Sequence, residues 1–253
     1  QLSVTNWAAG GQNSVAINGL ISMYANYTKN KGLWENNLDL GYGTIQQGEV
    51  KEWRKSDDKI DFSSKYGRML YKNLYYATIL SFKSQMTNGY KYLNDTDRIP
   101  ISKFMSPAYI LGAIGLDCKP QPNLSAFIAP IASKITIVQD DSLSNAGAYG
   151  VEPAVYDTIT NKIITPGKKI RKEIGGYIRV FYNVNIMKNI SLQTKLDLFS
   201  NYIKDPQYID VNWENIISLK VNKYISATIT TNLIYDHDVA IGKDENSDKV
   251  ISP

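Results

Sequence analysis

The chain has 253 residues, a formal net charge of +4, one cysteine and one histidine, which exclude an internal disulfide and a multi-histidine metal centre. No block of like charge provides a footprint for nucleic acid. The 43% hydrophobic and 21% charged content is that of an ordinary folded domain, but 18 Tyr against 6 Phe and 4 Trp is unusual, and a ring with a polar tip suits a boundary between oil and water.

The first residues, Gln1–Thr5, leave room for a short strand before "NWAAGGQN" (6–13). There Gly10 and Gly11 after Trp7 read as a tight turn; no strand–helix unit follows to make a phosphate-cradling loop. In "SVAINGLISMYANY" (14–27), Val15, Ile17, Ile21, Met23 and Tyr27 alternate with Ser14, Asn18, Ser22 and Asn26. That period of two predicts a strand with one apolar and one polar face. The pattern recurs at 35–43, where Leu38 and Leu40 oppose Glu35 and Asp39, and at 74–86, where Lys83 lies on the polar side. Weaker repeats occupy 59–69, 108–118 and 124–138, the last bent at Pro130. Over 173–186, Val180 and Val184 oppose Arg179; over 190–202, Leu192 and Leu196 oppose Lys195 and Asp197. Over 210–222, Leu219 opposes Glu214 and Lys220, and over 224–236 Ile229 stands in the apolar row.

These ten strands run about 10 residues or more, the length that crosses a bilayer at a tilt, whereas soluble strands average about 5–6. Charged residues sit mid-strand opposite the apolar rows. The chain therefore predicts a transmembrane antiparallel β-barrel with a polar interior. A soluble β-sandwich or lipocalin-like barrel is the other architecture that alternation allows. The lumen-facing set is Glu35, Asp39, Lys83, Arg179, Lys195, Asp197, Glu214 and Lys220. The lipid-facing set is Ile17, Ile21, Leu38, Leu40, Val180, Val184, Leu192, Leu196, Leu219 and Ile229. Connections alternate between short ("TKNKG", "YKN", "KPQPN", "MKN", "NK") and long (46–58, 87–107, about 139–172, 203–209 and the tail from His237). In outer-membrane barrels short turns face the periplasm and long loops face outside. Strand parity then places 14–27 as descending and 224–236 as ascending. The expectation is about twelve strands, with the first and last incomplete or missing and both termini of the full protein periplasmic.

The segments "TNWAAGGQNS", "GLWENNLDLGYG", "KSDDKIDFSSKYG", "YYATILSFKSQMTNGY", "LSAFIAPIASKITIV" and "VNKYISATITTNLIYD" together resemble a Bacteroidota family of outer-membrane β-barrel proteins known only as a domain of unknown function. The resemblance spans nearly the whole chain as a single barrel domain, 1–253. It implies an exported precursor, outer-membrane location in a Gram-negative bacterium and no assigned enzyme activity, with sequence before "NWAAGG" and a final strand after "LIYD".

The most chemical-looking residues are Asp236, His237 and Asp238 at one outside strand end, with Asp57 and Asp58 on a loop of the same side. A histidine beside carboxylates can activate water, and carboxylates can bind a divalent cation; an Asp-rich solvated loop is the simpler reading. Neither a metal nor a cofactor is required by any motif. Tyr24, Tyr27, Tyr42, Tyr66, Tyr75, Tyr76, Tyr182, Tyr202, Tyr224 and Tyr235 fall near strand ends as aromatic girdles, and Cys118 reads as a buried or lipid-facing small hydrophobe. The mixed signs of the lumen set suit pairing across a narrow interior, and the loop from 139 is long enough to cover a mouth. Three functions follow: an accessory or structural subunit of a larger outer-membrane assembly, a narrow diffusion channel, or a hydrolase at the outer mouth using His237. The expected surroundings are outer-membrane lipid, lipopolysaccharide and other outer-membrane proteins.

Overall fold

A computed structural model describes residues 2–3, 13–48, 52–94, 97–222, 224–243 and 249–251. The turn read at "NWAAGGQN" (6–13) lies outside them, apart from Asn13. The strands, in chain order, are β1 (Leu2–Ser3), β2 (Ser14–Lys29), β3 (Gly32–Gln47), β4 (Arg54–Tyr71), β5 (Leu74–Ser84), β6 (Gly89–Tyr92), β7 (Arg98–Ser102), β8 (Ala108–Gln121), β9 (Leu124–Ile137), β10 (Val155–Tyr156), β11 (Ile163–Thr165), β12 (Ile170–Met187), β13 (Ile190–Asn201), β14 (Ile209–Lys220), β15 (Ser226–Tyr235), β16 (Ala240–Lys243) and β17 (Lys249–Ile251). One short helix, α1 (Asp141–Asn145), interrupts the loop after β9. No helix among the described residues is long and apolar enough to cross a membrane.

All ten strands read from alternation are present, and with β1 they form a single antiparallel meander in the order β1-β2-β3-β4-β5-β8-β9-β12-β13-β14-β15. The omitted strands are small hairpins inside long loops. β6 pairs β7 within 87–107, and β10 pairs β11 within 139–172. Several strands exceed their sequence limits: β4 begins at Arg54, inside the stretch read as the loop 46–58, and β3 runs over Gly32–Gln47 rather than 35–43. Two-residue turns join β2 to β3, β4 to β5, β8 to β9 and β12 to β13, with Asn30 (φ 53°) and Lys72 (φ 39°) in the left-handed region that tight hairpins require. Of the ascending strand expected at Gln1–Thr5, the described residues are Leu2 and Ser3 of β1, which pair with Val15 and Ser14. The sheet is an open half-barrel. Among the described residues β2 and β15 are exposed on both faces over nearly their whole length, so these two strands stand at the open sides of the sheet.

Register fixes which side chains share a face, since directly opposed residues project together. Val180 lies opposite Leu196, which lies opposite Trp213, which lies opposite Leu233. Val184, Leu192, Ile217 and Ile229 form a parallel row, and Ile21–Leu40–Ile60 another. This convex face is apolar and uncovered: Ile17 is 63% exposed, Ile114 65% and Ile131 66%. The concave face holds the core, Ile79, Ala113, Phe127, Ala129, Ala132, Tyr177 and Phe199, together with buried Asp117, Glu173 and Asp197. An ordinary sheet packs its large aliphatic face on protein; here the large aliphatic residues face out and small, aromatic and charged ones face in. The curl is sharpened where β9 carries an extra residue opposite β12 and β8 shifts register at Gly115. A Cβ on Gly115 would lie 2.0 Å from the Ile128 carbonyl oxygen, so only glycine lets β8 and β9 approach there.

Candidate functional site: the charged interior

The eight residues read as lumen-facing all stand on the concave face. Glu35 opposes Lys65, Asp39 opposes Asp61, which opposes Lys83, and Arg179 opposes Asp197. Lys195 opposes Glu214, and Lys220 opposes Ser226. The ten residues read as lipid-facing stand on the convex face. Two tyrosines read as girdle residues do not join it. Tyr24 opposes Asn37 and Tyr75 opposes Asp117, which puts both on the concave side. Tyr75 lies beneath the Lys119 ammonium, 5.9 Å from its ring centroid. Cys118 is exposed in the convex row, opposite Leu74 and Ala126.

Three ion-pair groups fill the interior. At its centre Arg179 donates to Asp197 through Nε (2.6 Å) and Nη2 (3.4 Å). Tyr177 Oη donates to the same carboxylate at 2.6 Å. Arg179 Nη1 also reaches Ser63 Oγ at 3.3 Å. Towards the short turns, Lys65 bridges Glu35 (3.0 Å) and Asp117 (2.7 Å), and Lys119 donates to Glu35 at 2.6 Å. Towards the long loops, Lys134 binds Asp210 (2.6 Å) and Asp236 (2.9 Å), while Arg171 lies 2.9 Å from Glu173 and 3.5 Å from both Asp236 and Asp238.

These contacts measure the curvature. Three strands, β5, β8 and β9, separate Ser63 on β4 from Arg179 on β12, and three separate Lys134 on β9 from Asp236 beyond β15. Strands lie about 4.8 Å apart, so in a flat sheet these backbones would stand about 19 Å apart, beyond side-chain reach. Direct bonds therefore require the sheet to roll until opposite walls touch, and the cations crossing it occupy the space a wide pore would need. The pairing also answers the electrostatic demand of burial, because an interior charge without a counter-charge is strongly unfavourable.

The loop from 139 covers one end of this interior. Its helix α1 is capped by Asp140, which accepts from the Leu143 amide at 3.1 Å and from Lys103 Nζ at 2.5 Å. Lys103 beside it, with the cap amides, holds the Asp140 carboxyl below its ordinary range, and Asp140 in turn pushes the Lys103 ammonium up. The Asp140 amide donates to buried Ser106, and Tyr149 Oη donates to the Ile101 carbonyl at 2.6 Å. These bonds tie the 139–169 loop to the β6–β7 loop. Gly150, at φ 77°, sits directly over the Arg171 guanidinium and the Asp238 carbonyl. The loop is thus seated on the charged mouth.

The candidate cation or hydrolase residues are engaged otherwise. Asp58 is buried and accepts from the Met86 and Thr87 amides at 2.7 and 2.8 Å, anchoring the start of the loop after β5. Asp57 is on the concave face opposite Gly43. Asp236 is held by Lys134 and Arg171, and Asp238 by Lys204 at 2.9 Å. The His237 ring stacks on Tyr208, centroids 3.6 Å apart, with Nδ1 3.5 Å from Tyr235 Oη. Among the described residues no group of three or more His, Cys, Asp or Glu is placed to hold a metal ion.

Alternation alone did not single out Lys65, Asp117, Lys119 and Lys134. Lys65, Asp117 and Lys134 belong to the strands with the weakest pattern, two of them broken by the Gly115 bulge and Pro130, and Lys119 reads as the start of the turn "KPQPN". Nor did it mark Phe127, Tyr177 and Phe199 as a core, since in a polar row an aromatic reads as an exception.

Comparison with known proteins is sparse. A family model, "Protein of unknown function (DUF3078)", matches residues 1–90. Neither the curated proteins nor the solved structures contain a match. The first third of the chain, β1 to β5 and the start of β6, is therefore similar to a family with no assigned activity.

Proposed function

We propose that this chain is a transmembrane β-barrel of the outer membrane of a Gram-negative bacterium of the Bacteroidota, and that it acts as an accessory or structural subunit of a larger outer-membrane assembly. The carrying observation is the inversion of the sheet: exposed Ile, Leu and Val rows on the convex side, and bonded charges on the concave side. Hydrocarbon is the medium that makes such a surface stable. The subunit role is supported by the interior, where Arg179, Lys134 and Lys65 cross the lumen and the 139–169 loop covers one mouth. In this reading about twelve strands surround the lumen, and both open edges are paired in the membrane, because unpaired backbone groups are not tolerated in hydrocarbon.

A narrow diffusion channel is the second reading. It is supported by the concave rows of β2 and β15, where Ser22, Asn26, Thr228, Thr230 and Asn232 are exposed and polar. Planar-bilayer conductance on purified protein separates the two. The subunit role predicts no unitary current steps and retention of partner proteins on a native gel. Regular steps with no partner retained would replace it with the channel.

A further inference from the structure

Charge is distributed unevenly between the two ends of the sheet. In the five short inter-strand connections, 30–31, 72–73, 122–123, 188–189 and 221–225, and within three residues of them stand Lys29, Lys31, Lys72, Lys119, Lys188 and Lys220 among the described residues, and no Asp or Glu. The nearest carboxylates further along the strands, Glu35 and Asp117, are already bound by Lys65 and Lys119. The opposite end carries both signs, Glu52, Asp58, Asp97, Asp140 and Asp236 standing among Arg54, Lys55, Arg98, Lys103 and Arg171. The short-turn end is thus a concentrated positive field.

That field is focused on a cavity. Between the turn ends of β12, β13, β14 and β15 lies an open hollow of about 500 Å³. Lys188 and Lys220 line it, with Asn185, Ser191, Ser218 and Thr228, and no carboxylate does. Register explains the lining: Asn185 opposes Ser191, Ser191 opposes Ser218, and Ser218 opposes Thr228, so a row of amide and hydroxyl groups runs along the concave floor. Neither lysine has a carboxylate within 4.0 Å among the described residues, unlike the interior cations above them. Two unpaired ammonium groups over a floor of neutral donors are the donor set that an oxyanion needs: point charges to neutralise it, and O–H and N–H groups to orient it. The volume exceeds that of a bare phosphate and leaves room for the organic group carrying it.

We propose that this hollow binds a phosphate-bearing anion through Lys188 and Lys220. The same chemistry is offered by a soluble phosphate ester and by the head group of an anionic phospholipid, and the test distinguishes them. The full chain is held in dodecyl maltoside at about 0.15 M salt, where screening beyond roughly 8 Å removes non-specific attraction. ³¹P line broadening is then followed for inorganic phosphate and, separately, for phosphatidylglycerol doped into the micelles. The expected result is a saturable response that weakens about tenfold or more in K188Q/K220Q and is unchanged in K29Q/K31Q. Saturation by inorganic phosphate assigns a soluble solute, and saturation by the lipid alone assigns a head group; both uphold the site. No saturable response with either probe would overturn it. So would equal affinity in K188Q/K220Q. Both lysines are exposed, so the fold should survive, which near-ultraviolet circular dichroism checks; K220E alone provides a second variant with the same expected loss.

Discussion

Replacing Arg179 by Met removes the cation at the centre of the interior while leaving its methylene volume. The Arg179 side chain is 14% and the Asp197 side chain 11% exposed, with bonds of 2.6 and 3.4 Å between them. In the variant Asp197 keeps one hydrogen bond, from the Tyr177 hydroxyl 2.6 Å away, with Lys195 as the remaining nearby cation. Breaking a buried pair from one side costs about 3–5 kcal/mol, a factor of at least about a hundred in the folded-to-unfolded ratio. Substituting Asp197 by Asn in the same chain removes the stranded charge and keeps an oxygen for Tyr177. The double variant R179M/D197N should therefore recover most of the loss, because a neutral replacement of an ion pair is close to energetically neutral. The assay is urea unfolding of protein reconstituted in lipid vesicles, followed by tyrosine near-ultraviolet dichroism, on the wild type, both single variants and the double. A loss of about 1 kcal/mol or less in R179M would mean a solvated pair, and the filled interior would be refuted. Additivity of the two single losses would refute the pairing itself.

Three further outcomes follow from the geometry. Gly115→Ala should lower stability by about 1–3 kcal/mol, because its Cβ meets backbone rather than a movable side chain; an unchanged urea midpoint would contradict the close approach of β8 and β9. Asp140 is held below its ordinary carboxyl range by Lys103 and the helix amides, so its contribution is present above the unfolded value near about 4 and is lost as pH falls through the lower folded value. The protection factors of the Leu143 and Ser144 amides, with the intrinsic pH dependence of exchange divided out, should fall below about pH 4 in the wild type, with D140A already poorly protected at neutral pH and its protection factors nearly independent of pH. Ile131→Lys, mid-strand on the convex face, should cost about 2–4 kcal/mol in vesicles, whereas on a water-facing surface it would stay within about 0.5 kcal/mol.

Much of this architecture is legible in the sequence because a period of two is a strong signal when both faces are chemically distinct. Val180, Val184, Leu192 and Leu196 announce one face, and Arg179, Lys195 and Asp197 the other, and register keeps both sets together. Alternation is silent on what lies across the lumen. It cannot say that Arg179 reaches Ser63 or that Lys134 reaches Asp236, since those contacts depend on curvature, which arises from bulges at Gly115 and between Gly175 and Tyr177. Loops carry no period at all. The stretch from Gln139 reads as a loop long enough to cover a mouth, with no sign that Asp140 would cap a helix, that Gly150 would sit over Arg171 or that β10 and β11 would pair. His237 shows the opposite case. Its acidic neighbours suggested chemistry, and the fold instead gives those carboxylates to Lys134, Arg171 and Lys204 and stacks the ring on Tyr208.

The central claim is that hydrocarbon lies against the convex face, and a label at Ile131 tests it most directly. Because Cys118 is the single cysteine, C118A/I131C accepts one thiol-reactive fluorophore at mid-strand. In reconstituted vesicles the account predicts strong quenching by lipids brominated near the chain centre and protection from aqueous iodide. Efficient iodide quenching with no response to brominated lipid would show that water covers this face, and would contradict the account.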